Sequence, residues 1–276
     1  MPTPVLELRG ISKRFHQRGT SESLMAVDGA NLSVMPGECV ALVGESGSGK
    51  TTLARIALRL LDPDAGTVLL GGESLMDMSG SRLRASRVAM QPIFQDPAAA
   101  LNPRLRTADV LDQALYRMRG TKKDREAAAE RLLERVGLKP ARHYLPRYPH
   151  ELSGGQRQRL TIARALAMEP VLIIGDEPLS GLDVSIRGQI LNLLLELQRE
   201  RGMAYLLITH DIAIARAVAD RTAVMLKGQI VEMGDTAAVF EQPQHEYTRR
   251  LLASAPLLED LRPVPAFRGS LGRTRS

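Results

Sequence analysis

The chain has 276 residues, 44% of them hydrophobic, which is enough for one large domain or two modest ones with a sizeable core. Aromatic residues make up only 3% and Cys39 is the single cysteine, so the composition excludes a disulfide within the chain and any four-cysteine metal site. The formal net charge is +6, but the basic residues are scattered among acids, which favours solvated helix faces over a nucleic-acid surface.

The first part of the chain is predicted to form strands and then a helix. Segments 4–12 and 24–34 are predicted as strands, separated by a polar loop at 16–22. The apolar run Cys39–Val43 predicts a buried strand, in which Cys39 is expected to be a small core residue rather than a reactive thiol. A helix is predicted over 52–58. A polar, glycine-rich segment therefore lies between a strand and a helix.

That segment fits the phosphate-binding pattern G-x-x-x-x-G-K-[ST]. Glycines let successive backbone N–H groups turn toward a polyphosphate, and the positive end of the following helix faces the same phosphates. Lys50 can supply a positive charge to the β and γ phosphates, and the Thr51 hydroxyl can ligate Mg²⁺. The predicted phosphate site consists of Gly44, Glu45, Ser46, Gly47, Ser48, Gly49, Lys50, Thr51 and Thr52.

A helical region follows the phosphate-binding segment. The apolar runs 67–70 and 88–94 have the length of strands. From about 97 to 168 the pattern changes, and apolar residues at helical spacing predict helices over 108–119 and 124–136. This stretch is therefore expected to be a helical insertion.

The last part of the chain returns to strands. The runs 171–174 and 204–208 predict buried strands with a helix over 185–201 between them, and 222–233 predicts a hairpin. The arginine-rich end, 262–273, is predicted to be irregular. Short apolar strands that alternate with helices indicate an α/β fold with a parallel sheet, interrupted by the helical insertion.

Two acids follow the predicted strand 171–174. In nucleotide-binding α/β folds, the ligand-binding and catalytic residues lie at the carboxyl ends of the strands, and Asp176 and Glu177 would lie at such an end. Asp176 could hold Mg²⁺, and Glu177, which points the other way, could polarise an attacking water. Alone the pair is a weak signal, since two acids after a strand often begin a solvated loop, but together with the phosphate site it becomes a strong one.

Residues 152–159, LSGGQRQR, resemble the signature motif of the ATP-binding-cassette (ABC) ATPases. The resemblance covers nearly the whole chain in the family's order. Phe15 matches the aromatic that stacks on adenine, Gln95 matches the glutamine loop, 180–183 resembles the loop that crosses the dimer interface, and His210 resembles the switch histidine.

The resemblance implies a fold and a division of the chain. The fold class is α/β: a P-loop NTPase (RecA-like) core with a mostly parallel sheet, an antiparallel N-terminal β subdomain and an inserted helical subdomain at about 97–168. It implies an ATP-binding domain at 1–242 and a C-terminal extension at 243–276. Gly175 departs from the family pattern, which usually has a larger apolar residue there.

The resemblance also implies an ATPase with ATP and Mg²⁺ as cofactors. Glu177 would be the general base and His210 would contact the γ-phosphate, with Gln95 as the third catalytic residue. Thr51, Gln95 and Asp176 would serve Mg²⁺, Asp176 through water.

A second phosphate site lies far along the chain from Lys50. Ser153 precedes a predicted helix, so its hydroxyl and the following backbone N–H groups would form a positive helix end. The resemblance implies a head-to-tail dimer with an identical or paralogous ATPase subunit, in which each ATP lies between one subunit's phosphate loop and the other's signature. The second site then consists of Ser153, Gly154, Gly155, Gln156 and Asp183.

Segments 94–104, 144–151 and 243–252 are similar to dipeptide, oligopeptide and nickel importers. This implies a subunit that powers uptake of a small solute, with two membrane permease subunits, indirectly an external substrate-binding protein, and no nucleic acid. No apolar run approaches the roughly 20 residues that span a bilayer, which predicts a soluble, cytoplasmic protein. The resemblance to importer subunits implies a peripheral place on the cytoplasmic face of the inner membrane.

Two other classes are alternatives. An accessory ATPase of a soluble carbon–phosphorus lyase complex would resemble this group closely and would co-purify with lyase subunits. A nucleic-acid or ribosome-linked cassette ATPase would fit the net charge of +6, but such proteins usually carry coiled coils, zinc cysteines or tandem cassettes. Within the importer group, di- and oligopeptides, nickel complexes, opines and sugars are all open as substrates.

Overall fold

The computed structural model describes residues 2–16 and 23–254. The strands in these ranges are β1 (Leu6–His16), β2 (Ser23–Val34), β3 (Cys39–Val43), β4 (Ala65–Leu70), β5 (Glu73–Ser74), β6 (Met90–Ile93), β7 (Leu172–Asp176), β8 (Ala204–Ile208), β9 (Arg221–Leu226) and β10 (Gln229–Asp235). The helices there are α1 (Lys50–Ala57), α2 (Gly80–Ala89), α3 (Pro97–Ala100), α4 (Thr107–Ala114), α5 (Lys122–Arg135), α6 (Gly154–Ala167), α7 (Val184–Arg201), α8 (Ile212–Val218), α9 (Thr236–Glu241) and α10 (Glu246–Ser254).

The strands form two sheets. One is antiparallel, in the order β2-β1-β4-β5. The other has the order β10-β9-β3-β8-β7-β6, in which all neighbours run parallel except the β9–β10 hairpin at the edge. The predicted α/β fold, with a mostly parallel sheet and an antiparallel N-terminal sheet, is confirmed. Because neighbouring parallel strands end on the same side, the loops after β3, β6, β7 and β8 all emerge at one edge.

The core between the two sheets is aliphatic, as the low aromatic content requires. Leu8 and Val27 from the antiparallel sheet share one buried cluster with Leu42 and Leu206 from the parallel sheet and Ile56 from α1. Each such side chain contributes about 1.5–3 kcal/mol when fully buried. Cys39 is buried, which confirms that it is a core residue, and burial raises the pKa of its thiol.

The helical insertion is present. Helices α4, α5 and α6 pack against one another and share a core that includes Leu111, Leu133 and Leu160. The same cluster continues to Ile173 and Leu207 on the parallel sheet. The signature helix α6 is therefore anchored to the strands that carry the acids and the switch histidine.

Several boundaries predicted from the sequence are wrong. The strand predicted over 4–12 begins at Leu6 and continues to His16, because pairing with β2 extends along that whole length. The helix predicted over 108–119 ends at Ala114, because a turn at Leu115 places Met118 back against the core. The run 88–94 was predicted as strand throughout, but its first two residues complete α2 and the strand begins at Met90. A short apolar run does not distinguish the end of a buried helix from a strand.

The C-terminal helix α10 packs on the parallel sheet. Tyr247 is buried in a cluster with Val43 of β3 and Val224 of β9, and Leu251 lies against the same cluster. The arginine-rich stretch 262–273 and most of the loop predicted at 16–22 lie outside the described residues. No helix in the described part of the chain combines the length and the apolar composition that a membrane crossing needs.

Candidate functional site

The carboxyl edge of the parallel sheet brings together the catalytic and metal-binding residues predicted from the sequence. Glu177 follows β7 and is the centre of the group: its Oε2 accepts a hydrogen bond from Gln95 Nε2 at 3.1 Å, and its Oε1 lies 2.9 Å from His210 Nδ1. The neighbouring Asp176 turns to the other side, where its Oδ1 accepts a hydrogen bond from Thr51 Oγ1 at 3.2 Å. The two acids therefore serve different partners, as the sequence analysis expected.

Close contacts with neighbouring strands require glycine at two positions of the phosphate-binding loop. A Cβ on Gly44, at φ 153°, would lie 2.3 Å from the Met225 carbonyl oxygen. A Cβ on Gly49, at φ 108°, would lie 2.2 Å from the Ala26 carbonyl oxygen. Any side chain at these positions would force the backbone apart. The loop is thus pressed between β2 and β9.

The Lys50 ammonium group lies inside the loop. Its Nζ donates to the carbonyl oxygens of Gly44 and Glu45 at 2.8 and 2.7 Å and to Ser48 Oγ at 3.3 Å. Desolvation is the main influence on this group and lowers the pKa of Lys50, while the nearby carboxylates oppose the change. A cation with so little water around it attracts phosphate oxygens more strongly than an exposed lysine does.

Glu177 is held in a backbone conformation that side-chain-bearing residues rarely adopt, with φ 49°. Its N–H donates to the Ile208 carbonyl at 2.9 Å, and its own carbonyl accepts from Ser180 N and Oγ at 3.1 and 2.9 Å. These bonds hold the left-handed turn in place and aim the carboxylate at Gln95 and His210. Such strain is typical of functional positions that the surrounding structure over-determines.

The residues predicted to bind metal offer the donors that Mg²⁺ prefers. Thr51 and Asp176 place a hydroxyl and a carboxylate oxygen side by side, and Gln95 adds an amide from the next strand end. Within the described ranges, no cluster of three His, Cys, Asp or Glu residues could hold a metal on its own.

Asp176→Asn is expected to raise the melting temperature of the ligand-free protein at neutral pH. Desolvation raises the pKa of the Asp176 carboxyl, so the folded state binds its proton more tightly than the unfolded state does, and stability is lost as the pH rises through the folded-state pKa. The asparagine amide cannot ionise, so the variant does not lose this stability as the pH rises. Thermal unfolding at pH 4 and pH 7 tests the expectation. The melting temperature of the variant should exceed that of the wild type by more at pH 7 than at pH 4, and an equal difference at both pH values would contradict it.

Phe15 lies on the antiparallel sheet at the end that meets the phosphate loop. It pairs with Leu24 of β2, two residues before the Ala26 carbonyl that contacts Gly49. Phe15 is 41% exposed, and the Lys13 ammonium group lies 6.0 Å from the centre of its ring. An exposed aromatic face beside the loop can stack on a planar base.

The signature residues begin α6 as expected. Ser153 Oγ accepts from Gln156 N at 3.3 Å, and Gln156 Oε1 accepts from Ser153 N at 3.0 Å. Asp183 similarly caps α7 through Ile186 N at 3.0 Å. Among the described residues, no hydrogen bond joins the signature to the phosphate loop.

Sequence analysis assigned no role to Gln158, which connects the signature helix to the site. Its side chain is 1% exposed, and Nε2 donates to the Pro178 carbonyl at 2.6 Å and to the Phe94 carbonyl at 3.4 Å. These carbonyls neighbour Glu177 and Gln95. The available signal was a glutamine on the buried face of an amphipathic helix, one turn before Ile162. Gly175 packs closely against Pro178: a Cβ at position 175 would lie 2.7 Å from Pro178 Cγ, so a side chain there would push Pro178 away.

Arg187 was also missed, and it links the loop after Glu177 to the switch histidine. Its Nη1 lies 3.3 Å from Asp211 Oδ2, and Asp211 caps α8 through Ala213 N at 2.9 Å. These residues line a cavity of about 210 Å³ that reaches Glu177 and His210. No pattern in the sequence pairs an arginine on α7 with this aspartate.

Comparison with known proteins gives a consistent result. The family model described as ABC transporter matches residues 27–180. The protein named glutathione import ATP-binding protein GsiA is 49% identical over 269 residues in Escherichia coli and 48% identical over 270 residues in Salmonella paratyphi A. Each alignment covers 95% of this chain and 43% of the relative, so the chain spans less than half the length of these curated relatives.

Two solved structures share the fold over most of this chain. The ATP-binding cassette MJ0796, in a dimeric post-hydrolysis state bound to ADP and Pi, superposes with a TM-score of 0.77 at 30% identity, covering 84% of this chain and 98% of the other. CbiO1 from Clostridium perfringens, described as part of the ABC transporter complex cbiONQ, gives a TM-score of 0.72 at 29% identity, covering 87% of this chain and 92% of the other.

Proposed function

The chain belongs to the ABC transporter family, whose cassettes are ATPases, and on that premise we propose that it powers the import of a small solute through a membrane transporter. One observation carries the proposal: Lys50, Thr51, Asp176, Glu177 and His210 meet at one edge of the parallel sheet, beside a loop shaped for phosphates. This is the set of groups that nucleotide hydrolysis requires.

In the proposed reaction, Glu177 takes a proton from water as the water oxygen bonds to the γ-phosphorus of ATP. The bond from that phosphorus to the β–γ bridging oxygen breaks, which releases ADP and phosphate. Gln95 and His210 position the Glu177 carboxylate, and Lys50 holds the phosphates. Mg²⁺, when bound by Thr51, Gln95 and Asp176, would neutralise phosphate charge.

We infer a head-to-tail dimer, because the signature and the phosphate loop are about 100 positions apart in the chain and, among the described residues, share no hydrogen bond. Ser153, Gly154, Gly155 and Gln156 would meet the ATP that a second copy or a paralogue holds, while Asp183 faces the junction and Phe15 stacks on adenine. MJ0796, which superposes well, is described as dimeric.

The proposed transporter imports a peptide-like solute. The curated relatives are named for glutathione, which is a tripeptide, and this supports peptides over nickel. CbiO1 is described as part of a transporter complex, which supports two permease subunits as partners and a peripheral place on the cytoplasmic face of the inner membrane. An external substrate-binding protein would deliver the solute to the permease.

Reconstitution tests the proposal. The chain would be assembled in proteoliposomes with the permease subunits and binding protein encoded near its gene, and uptake of glutathione, dipeptides and Ni²⁺ would be measured with and without ATP. We expect ATP-dependent uptake of one peptide class, and ATP hydrolysis that increases when the loaded binding protein is present. The importer function would be contradicted if the chain failed to associate with the permease, or if the rate of ATP hydrolysis did not change when the permease and the loaded binding protein were present.

A further inference from the structure

The C-terminal helix α10 contacts the phosphate-binding loop directly. The Tyr247 hydroxyl accepts a hydrogen bond from the backbone N–H of Glu45 at 3.0 Å, although the two residues are 202 positions apart in the chain. Tyr247 is 5% exposed. A side chain from outside the predicted ATP-binding domain therefore binds the second residue of the loop.

The Tyr247 ring is fixed independently of that hydrogen bond. It packs in a buried cluster with Val43, Val224 and Phe240. The segment before α10 is held by Glu232, whose two carboxylate oxygens accept from Gln244 N and His245 N at 2.8 and 3.0 Å. The hydroxyl is thus presented to the loop by a rigid support.

The peptide groups on both sides of the Glu45 Cα are hydrogen-bonded. On the carbonyl side, its oxygen accepts from Lys50 Nζ at 2.7 Å and from Ser48 N at 3.2 Å. On the amide side, Tyr247 is the partner. When phosphates draw Lys50 toward themselves, the carbonyl loses one of its bonds, and the Tyr247 bond still anchors the turn.

We propose that Tyr247 is a positioning residue for the nucleotide, which holds the first turn of the phosphate-binding loop and so couples the C-terminal helix to ATP affinity. The inference rests on the proposed nucleotide-binding function. Its effect falls on binding rather than on the chemical step, because Glu177, Gln95 and His210 follow other strands and, among the described residues, form no hydrogen bond with Tyr247.

The test is Tyr247→Phe in the full chain, which removes the hydroxyl and keeps the ring. We expect the Kd for a fluorescent ATP analogue, and the KM for ATP, to rise about 3- to 10-fold, as loss of one hydrogen bond implies, with kcat within about twofold. Tyr205→Phe is the matched control. It loses a buried hydroxyl that donates to the Leu194 carbonyl at 3.0 Å, away from the loop, and should leave the Kd unchanged even if it lowers Tm as much.

Amide hydrogen exchange gives a second measurement, which reports on the Glu45 N–H directly and needs no nucleotide. The Glu45 N–H should exchange slowly in the nucleotide-free protein, and in Tyr247→Phe it should exchange faster. A Glu45 amide that exchanges as fast as that of the exposed Ser46, or a Kd that rises equally in both tyrosine variants, would overturn the inference. A wild-type chain that fails to bind the analogue would overturn the proposed function as well.

Discussion

Glu177→Gln is expected to lower the rate of ATP hydrolysis by about 100- to 10,000-fold, the range that general-base catalysis supplies. The amide cannot accept the proton of the attacking water, yet it has nearly the same size and can still bond to the neighbouring side chains. The Kd for ATP should therefore change little. Phosphate release in a single turnover, together with nucleotide binding, measures both quantities.

The same variant should accumulate as an ATP-bound dimer, because in the proposed head-to-tail dimer hydrolysis is the step that releases the interface. Light scattering coupled to gel filtration, with and without Mg·ATP, reports this directly. Glu200→Gln, on the exposed face of α7, is the matched control and should hydrolyse at the wild-type rate. Hydrolysis by Glu177→Gln within about twofold of wild type would reject Glu177 as the base.

Lys50→Ala is expected to weaken ATP binding by about 100-fold or more. A buried ammonium group that meets phosphate oxygens makes charge-assisted hydrogen bonds of about 1.5–3 kcal/mol each, and two of them account for that loss. Lys123→Ala, on the exposed face of α5, removes the same charge far from the loop and should leave the Kd unchanged.

Lys50→Arg separates charge from fit. The Lys50 Nζ bonds to Gly44, Glu45 and Ser48 within a tight loop, so the larger guanidinium cannot occupy the same place. We expect arginine to restore only a small part of the affinity. Full restoration would show that the loop needs a positive charge of any shape, and an unchanged Kd in Lys50→Ala would refute the phosphate-binding role.

Local patterns in the sequence determined most of the fold and predicted most of the residues of the proposed site. The phosphate-binding segment requires particular residue types in consecutive positions, so a glycine such as Gly44 or Gly49 is readable without a structure. The buried strands β3, β7 and β8 are short apolar runs with polar residues directly after them. Boundaries were less readable, as at Ala114 and Met90, because long-range packing decides where a helix ends.

The amino-acid sequence by itself determined the α/β class, the phosphate loop, the acids after β7 and the switch histidine, because each is a local pattern of residue types. Only the tertiary structure decided that Gln95, Glu177 and His210 are hydrogen-bonded together, that Gln158 connects the signature helix to the site, and that Tyr247 holds the loop at Glu45. These contacts join segments from 20 to 202 positions apart, and packing of the strands and helices creates them without leaving a periodic trace in the chain.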